Sequence, residues 1–185
     1  RFSTIAAQSA EVLPAVPVSP NEFPDITYKT TGVVFQLDRR WKYIDGDNPE
    51  FAKPDFDDSK WQTIEVGKAK TGGAWSWYRV TFDLPENLQD QNLLLDLGRV
   101  SVYDEVYVNG AKVGSFGNPP PNFVNGASDV WRKYPIAASH FHPGKNVLAV
   151  RVYPGYKGRL DEGNYTLQAL SGNLVRARLN LKTDG

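Results

Sequence analysis

The stretch "DEVYVNGAKVG" (residues 104–114) constrains the fold more than any other part of the chain. Asn109 and Gly110 both tolerate positive φ, and such a pair favours the type I′ turn whose twist matches that of two antiparallel strands. Apolar and β-prone residues stand on both sides of the pair. The stretch therefore predicts a β-hairpin centred on Asn109 and Gly110.

Further short β-prone runs follow along the chain, separated by Gly, Pro or Asn, and none shows helical periodicity beyond one or two turns. They include "GVVFQLDRRWKYI", "WSWYRVTFDL", "NLLLDLG", "KNVLAVRVY" and "YTLQAL". The first of these predicts one strand near residues 33–44. We expect an all-β, two-sheet antiparallel sandwich of about eight strands over residues 31–185, preceded by a proline-rich arm or linker over residues 1–30.

Composition excludes several classes of function. The chain has 21 basic and 21 acidic residues, so its overall field does not steer it towards nucleic acid or anionic lipid. No apolar run approaches the roughly 18 residues of a membrane span, which argues against direct membrane insertion. Cysteine is absent, which rules out disulfides and thiolate chemistry. Neither a nucleophile-elbow motif nor a phosphate-binding glycine loop is present, so we expect no catalytic residues.

Alternation divides "WSWYRVTF" into two faces, because successive side chains of a strand point to opposite sides of the sheet. Tyr78, Val80 and Phe82 form the predicted core face. Trp75, Trp77 and Arg79 take the opposite face, where they would meet a ligand or another layer of protein.

The arginines at 79 and 151 allow two interpretations. Aromatic rings with arginine on one face suit sugar recognition, since the rings cover the apolar side of a pyranose while polar groups bind its hydroxyls. Alternatively, each arginine is structural and is neutralised by a carboxylate such as Asp96 or Asp104. Among the tryptophans, Trp41 and Trp61 are assigned to the core and Trp75 to an exposed strand end.

The acidic loop that begins "DGDNPE" offers oxygen ligands at alternate positions, as calcium loops do, although the full twelve-residue pattern is missing. Asp45, Asp47 and Glu50 are therefore candidate ligands for a structural calcium ion. The alternative is that these carboxylates are solvated turn formers.

An ordered series of motifs, "WKYIDGD", "FAKPDFDDSKWQTIEVG", "WYR", "VNG" and "GKNVLAVRV", resembles the galactose-binding-like jelly roll that serves as the sugar-binding domain of family 2 glycoside hydrolases and related esterases. It is also similar to periplasmic sensor domains of membrane-bound diguanylate cyclases and histidine kinases. The resemblance covers roughly residues 33–170. It implies a jelly-roll sandwich without chemistry of its own, often with a structural calcium.

In such domains the ligand site lies in loops at one end of the sandwich. The resemblance, together with the polar and aromatic composition of those loops, makes eight residues candidates for ligand binding: Trp75, Asn122, Asn125, Trp131, Arg132, Tyr156, Arg159 and Asp161. The expected ligand is a mono- or oligosaccharide.

These observations predict a non-catalytic carbohydrate-binding module, accessory to a larger bacterial protein in the periplasm or outside the cell, where neighbouring domains of that protein are its partners. One alternative is a periplasmic ligand-sensing ectodomain of a diguanylate cyclase or histidine kinase. A second is a purely structural spacer that binds nothing.

Overall fold

The computed structural model describes residues 28–67, 75–122, 130–153 and 163–171. Within them it contains three short 3₁₀ turns, at Pro49–Ala52, Glu86–Leu88 and Ala138–His140. No helix in these ranges has the length and apolar character needed to cross a bilayer. The ten strands are β1 (Thr30–Gln36), β2 (Arg40–Asp45), β3 (Gln62–Glu65), β4 (Ser76–Asp83), β5 (Leu93–Arg99), β6 (Tyr103–Val108), β7 (Ala111–Phe116), β8 (Trp131–Ile136), β9 (Lys145–Tyr153) and β10 (Thr166–Leu170).

The strands form two antiparallel sheets, which confirms the predicted sandwich. The smaller sheet has the order β1-β10-β5-β8 and the larger has the order β3-β2-β4-β9-β6-β7. Most of the predicted proline-rich arm lies outside the described residues, so its boundary at residue 30 stays a prediction.

The single strand predicted near residues 33–44 is wrong, because this stretch contains two strands in different sheets. Between them the chain crosses from one sheet to the other. Leu37 is buried at the crossing, and its N–H donates to the carbonyl of Tyr165 at 3.0 Å. The Asp38 carboxylate accepts the N–H of Arg40 at 2.7 Å, which closes the turn.

The predicted hairpin is confirmed and joins β6 to β7. Asn109 and Gly110 have φ values of 49° and 85°. The side chain of Asn109 also ties the turn to its surroundings: it donates to the carbonyl of His140 and accepts the N–H of Val147, each at 2.9 Å. This turn is thus anchored to β9 as well as to its own strands.

The main core lies between the two sheets and contains the residues that alternation predicted. Tyr78, Val80 and Phe82 of β4 all belong to it, and Trp41 is fully buried. The indole of Trp41 meets the ring of Tyr165, the residue before β10, edge-on, with centroids 5.8 Å apart.

A second apolar cluster lies on the outer side of the six-stranded sheet, under a segment that we call the strap (residues 48–61). Trp61 at the end of the strap is 6% exposed, as its assignment to a core predicted, and Trp77 of β4 beneath it is 1% exposed. Phe51 packs edge-on against both indoles, at 4.9 and 5.9 Å. The strap therefore covers the face on which Trp77 was expected to meet a ligand or another protein layer.

Arg79 of β4 fastens the strap to the sheet. Its Nη1 donates to the carbonyls of Phe51 at 2.5 Å and Lys53 at 2.9 Å, and its Nε donates to the Asp58 carboxylate at 2.8 Å. The Arg79 side chain is 2% exposed. This arginine is structural, as one of the two interpretations held, but its carboxylate partner comes from the strap and not from a neighbouring strand.

Candidate functional site

Strands β6 and β9 of the larger sheet, together with the residues just before β4 and just after β2, present aromatic and charged side chains on its outer face, at one end of the strands. The register places the beginning of β4 beside the end of β9, and the end of β9 beside the beginning of β6. The loop after β2 arrives at the same end, since Asp45 pairs with Ser76. We call the resulting group the rim cluster; it consists of Asp47, Trp75, Tyr103, Glu105, Arg151 and Tyr153.

Trp75 stands at the centre of the rim cluster and is partly exposed. The guanidinium carbon of Arg151 lies over its ring, 3.8 Å from the centroid. The rings of Tyr153 and Tyr103 meet the indole edge-on at 5.0 and 6.1 Å. Cation–π and edge-to-face contacts hold an indole in one orientation, so Trp75 is a positioned side chain with one ring face already occupied.

Arg151 also forms ion pairs with two carboxylates. It binds Asp47 in a bidentate fashion, with Nε to Oδ1 at 2.8 Å and Nη2 to Oδ2 at 2.6 Å. Its Nη1 donates to Oε2 of Glu105 at 3.0 Å. The expectation that Arg151 is neutralised holds, although its partners are Asp47 and Glu105 instead of Asp96 or Asp104.

Glu105 accepts four hydrogen bonds and is 7% exposed. Besides Arg151, its donors are the hydroxyls of Tyr103 and Tyr107, at 2.7 and 2.6 Å, and Nζ of Lys112 at 2.7 Å. Burial by itself raises the pKa of this carboxyl, but the hydrogen bonds from Lys112, the two tyrosines and Arg151 outweigh it and lower the pKa to about 2. Burial and the adjacent carboxylate raise the pKa of both tyrosine hydroxyls. The group therefore has a fixed charge pattern, with Glu105 ionised at neutral pH.

Comparison with known proteins points to one group of enzymes. The chain is 25% identical over 150 residues to a protein of Formosa agariphila described as a putative β-glucuronidase, an alignment that covers 70% of this chain and 14% of that protein. No family model matches. The chain thus spans about one seventh of the curated relative.

Solved structures show the same relationship. A mutant of Bacteroides uniformis β-glucuronidase 2 superposes with a TM-score of 0.59 at 20% identity, over 76% of this chain and 18% of that one. A glycosyl hydrolase family 2 member from Bacteroides cellulosilyticus gives a TM-score of 0.55 at 19% identity, over 75% and 21% of the two chains. The fold is that of the galactose-binding-like jelly roll of family 2 glycoside hydrolases. In each of these proteins the matched region is a small part of the whole.

The eight candidate ligand residues are divided by the structure. Trp75 belongs to the rim cluster, whereas Asn122 is exposed in the segment that follows β7. Asn125, Tyr156, Arg159 and Asp161 lie outside the described residues, and Trp131 starts β8 in the other sheet.

Trp131 has a polar environment of its own on the smaller sheet. Its Nε1 donates to the buried carboxylate of Asp96, which also accepts Nδ2 of Asn164 at 3.0 Å. Asp96 therefore orients Trp131 and does not neutralise either of the arginines for which it was considered.

Arg132 does not reach a ligand surface, because its side chain is fully buried between the sheets. Its Nε donates to Asp104 at 2.8 Å, and both side chains have 0% exposure. The other guanidinium nitrogens donate to the carbonyls of Val130 and Ser101, at 2.7 and 2.9 Å. Tyr134 donates its hydroxyl to the same carboxylate. Arg132 is thus part of the interior of the sandwich.

The three candidate calcium ligands have separate partners. Asp45 accepts the hydroxyl of Tyr43, and Asp47 is held by Arg151. Glu50 forms an exposed ion pair with Lys53 at 2.5 Å. In the part of the chain that the structure describes, no group of three or more His, Cys, Asp or Glu side chains is placed to hold a metal ion. The calcium site stays a prediction that these contacts do not support.

Sequence reasoning missed Tyr103 and Glu105, which complete the rim cluster. Their signal is the alternation in "VYDEVYV": Tyr103, Glu105 and Tyr107 occupy one face of β6, while Asp104 and Val106 occupy the core face. Register alone would then have placed Glu105 beside Arg151, the residue opposite it on β9.

Proposed function

We propose that this chain is a non-catalytic accessory sandwich of a larger carbohydrate-active protein and that it binds saccharide at the rim cluster. Two comparisons support the first part. The relatives are described as a β-glucuronidase and as family 2 glycosyl hydrolases, and the chain corresponds to 14% and 21% of their length. A sandwich of this size occupies the position of one domain among several.

The observation that carries saccharide binding is the positioned, partly exposed indole of Trp75. Sugars bind to flat aromatic faces through their apolar C–H surface and to nearby polar groups through their hydroxyls. Arg151 and Tyr153 hold the indole at 3.8 and 5.0 Å, and the carboxylate of Asp47, on Arg151, remains about one third exposed. Because the Trp75 indole is already held in one orientation, little side-chain conformational entropy is lost when a sugar ring stacks on it.

The same cluster is poorly suited to acid–base catalysis. A glycosidase general acid needs a carboxyl that stays protonated near neutral pH. Hydrogen bonds instead hold the pKa of Glu105 at about 2, against the effect of its burial, and Arg151 binds both oxygens of Asp47. These contacts favour binding over hydrolysis.

Calorimetric titration with a panel of neutral mono- and oligosaccharides tests the proposal. The expected result is saturable binding that is lost in Trp75→Ala. Val34→Ala provides the control, since Val34 is an exposed apolar residue of β1 on the other sheet and its truncation should leave binding unchanged. Circular dichroism of both variants verifies the fold. Flat titrations at millimolar saccharide for the unmodified protein would contradict saccharide binding.

The location of the parent protein is also part of the proposal. On the resemblance alone, we place it in the periplasm or outside the cell. Fractionation of the source bacterium, with an antibody raised against this chain, would find the antigen outside the cytoplasm. Antigen confined to the cytoplasmic fraction would contradict this placement.

A further inference from the structure

The rim cluster carries an inference about the class of its ligand, which rests on the proposed function. We propose that the rim cluster selects neutral saccharides and discriminates against uronates, the sugars that bear a carboxylate. The argument comes from the charges that the structure describes around Trp75 and from how the guanidinium of Arg151 is already used.

Arg151 is the residue that would ordinarily recognise a sugar carboxylate, because a guanidinium binds carboxylates in a bidentate fashion. Here its Nε and Nη2 are both directed at Asp47, at 2.8 and 2.6 Å, and its Nη1 at Glu105, at 3.0 Å. The face of the guanidinium lies on Trp75. A uronate that bound the Nε–Nη2 edge of Arg151 would therefore have to displace Asp47 from it.

Among the described residues, the other cation beside the rim cluster is also engaged. Lys112 donates to Oε1 of Glu105 at 2.7 Å, so two cationic side chains, Arg151 and Lys112, face two carboxylates, Asp47 and Glu105. Hydrogen bonds keep Glu105 ionised, since its pKa is about 2. A third carboxylate brought to Trp75 would meet two existing ones at close range, and like-charge juxtaposition is strongly unfavourable at a partly buried surface.

Hydroxyl groups meet no such obstacle. A neutral pyranose would stack on the face of Trp75 opposite Arg151 while its hydroxyls donate to carboxylate oxygens that keep their ion pairs, because each oxygen has more than one acceptor position. The rim cluster thus combines an aromatic surface, the Trp75 indole, with carboxylate oxygens that accept hydrogen bonds from sugar hydroxyls. If the parent enzyme acts on a uronate-containing polymer, this domain would bind the neutral units of that polymer.

Matched sugar pairs test the inference: glucose against glucuronate and galactose against galacturonate, each titrated at pH 7 and low salt. We expect each neutral sugar to bind at least about tenfold more tightly than its uronate, a difference worth about 1.4 kcal/mol. Added salt should reduce the difference, since it screens exposed charges.

Asp47→Asn supplies the decisive variant, because it removes one negative charge and leaves one acceptor oxygen in place of two, which frees one of the two Arg151 donors. We expect it to narrow the preference for neutral sugars or to reverse it, while Trp75 still supports binding. Asp55→Asn, an exposed carboxylate of the strap, is the control and should leave the ratio unchanged. Thermal melts establish that both variants are folded.

The outcomes separate the two proposals. Equal binding of neutral sugars and uronates, or tighter binding of uronates, by the unmodified protein would overturn the selectivity and leave saccharide binding intact. An unchanged ratio in Asp47→Asn would also overturn the role assigned to Arg151. If neither sugar of any pair binds, the proposed function fails, and the selectivity fails with it.

Discussion

At the scale of single residues, Arg132 and Asp104 form a fully buried ion pair in the interior of the sandwich, and each depends on the other for charge neutralisation. Removing one member of a buried ion pair leaves an uncompensated charge, which costs about 3 to 5 kcal/mol. We expect Arg132→Met to lose stability of this order in urea denaturation. The double variant Arg132→Met/Asp104→Asn should be more stable than Arg132→Met, because no buried charge remains.

The control for this prediction is Lys133→Met, on the neighbouring and exposed position of β8. It should change the free energy of unfolding by less than about 0.5 kcal/mol. A similarly small effect of Arg132→Met would show that Arg132 is not the buried partner of Asp104.

Glu105 gives the protein a specific dependence on pH. Its pKa in the folded state, about 2, lies below its ordinary value of 4.5. The stabilisation from the ionised carboxylate is therefore fully present above pH 4.5 and is lost as the pH falls from there towards 2. We expect the free energy of unfolding to decrease across this window and to decrease less in Glu105→Gln, as measured by urea titrations at a series of pH values. Parallel curves for the two proteins would contradict this assignment.

At the scale of elements, the strap is held on the sheet by Arg79, whose guanidinium donates hydrogen bonds to several acceptors at once. Lysine keeps the charge but cannot bind the carbonyls of Phe51 and Lys53 together with Asp58. We expect Arg79→Lys to cost about 2 to 4 kcal/mol, since buried acceptors lose their donors. Limited proteolysis should show faster cleavage between residues 48 and 61. Arg40→Lys, an exposed change on β2, is the control, and equal cleavage rates would contradict the fastening role.

Strand β7 depends on a glycine for a different reason. A Cβ on Gly114 would lie 2.4 Å from Cδ1 of Tyr134, the ring that delivers its hydroxyl to Asp104. Because that ring is buried and cannot move aside, we expect Gly114→Ala to destabilise the protein by about 1 to 3 kcal/mol in urea denaturation. Ser115→Ala, one position along, should have little effect. Equal stability of the two variants would contradict the close packing.

The elements also show what alternation can and cannot predict. It correctly assigned Tyr78, Val80 and Phe82 to the core, and the Asn109–Gly110 turn was found from local backbone preference alone. Side-chain alternation also placed Trp77 and Arg79 on the correct face of β4. It did not reveal that the strap covers this face, because the strap packs there through tertiary contacts between residues that are distant in sequence.

Candidate ligand residues were harder to predict than the fold. Arg132 was placed at the ligand site by the composition of its loop, yet "WRKYPI" alternates so that Arg132, Tyr134 and Ile136 share the core face. Trp75 was correctly singled out as a strand-end tryptophan. Its partners on β6 and β9 could be found only through strand register, which pairs residues far apart in sequence.

At the scale of the whole molecule, the acidic loop that begins at Asp45 raises the question of whether a bound metal ion stabilises the fold. A metal bound only by the folded state raises the melting temperature. Because Asp45, Asp47 and Glu50 are engaged by Tyr43, Arg151 and Lys53 respectively, we expect the melting temperature in calcium to equal that in EDTA. A midpoint that rises with calcium would contradict this expectation and would support the calcium site predicted from the sequence.

Because of the strap, the molecule has two apolar clusters on opposite sides of the six-stranded sheet. Its buried tryptophans are divided between these two clusters. Trp41 lies in the inner core, whereas Trp61, at the end of the strap, and Trp77, beneath it, lie in the outer cluster. Indole fluorescence follows local polarity, so single-tryptophan versions of this protein would report the opening of each side independently. The molecule thus contains its own optical probes for asking whether its two layers come apart together or in sequence.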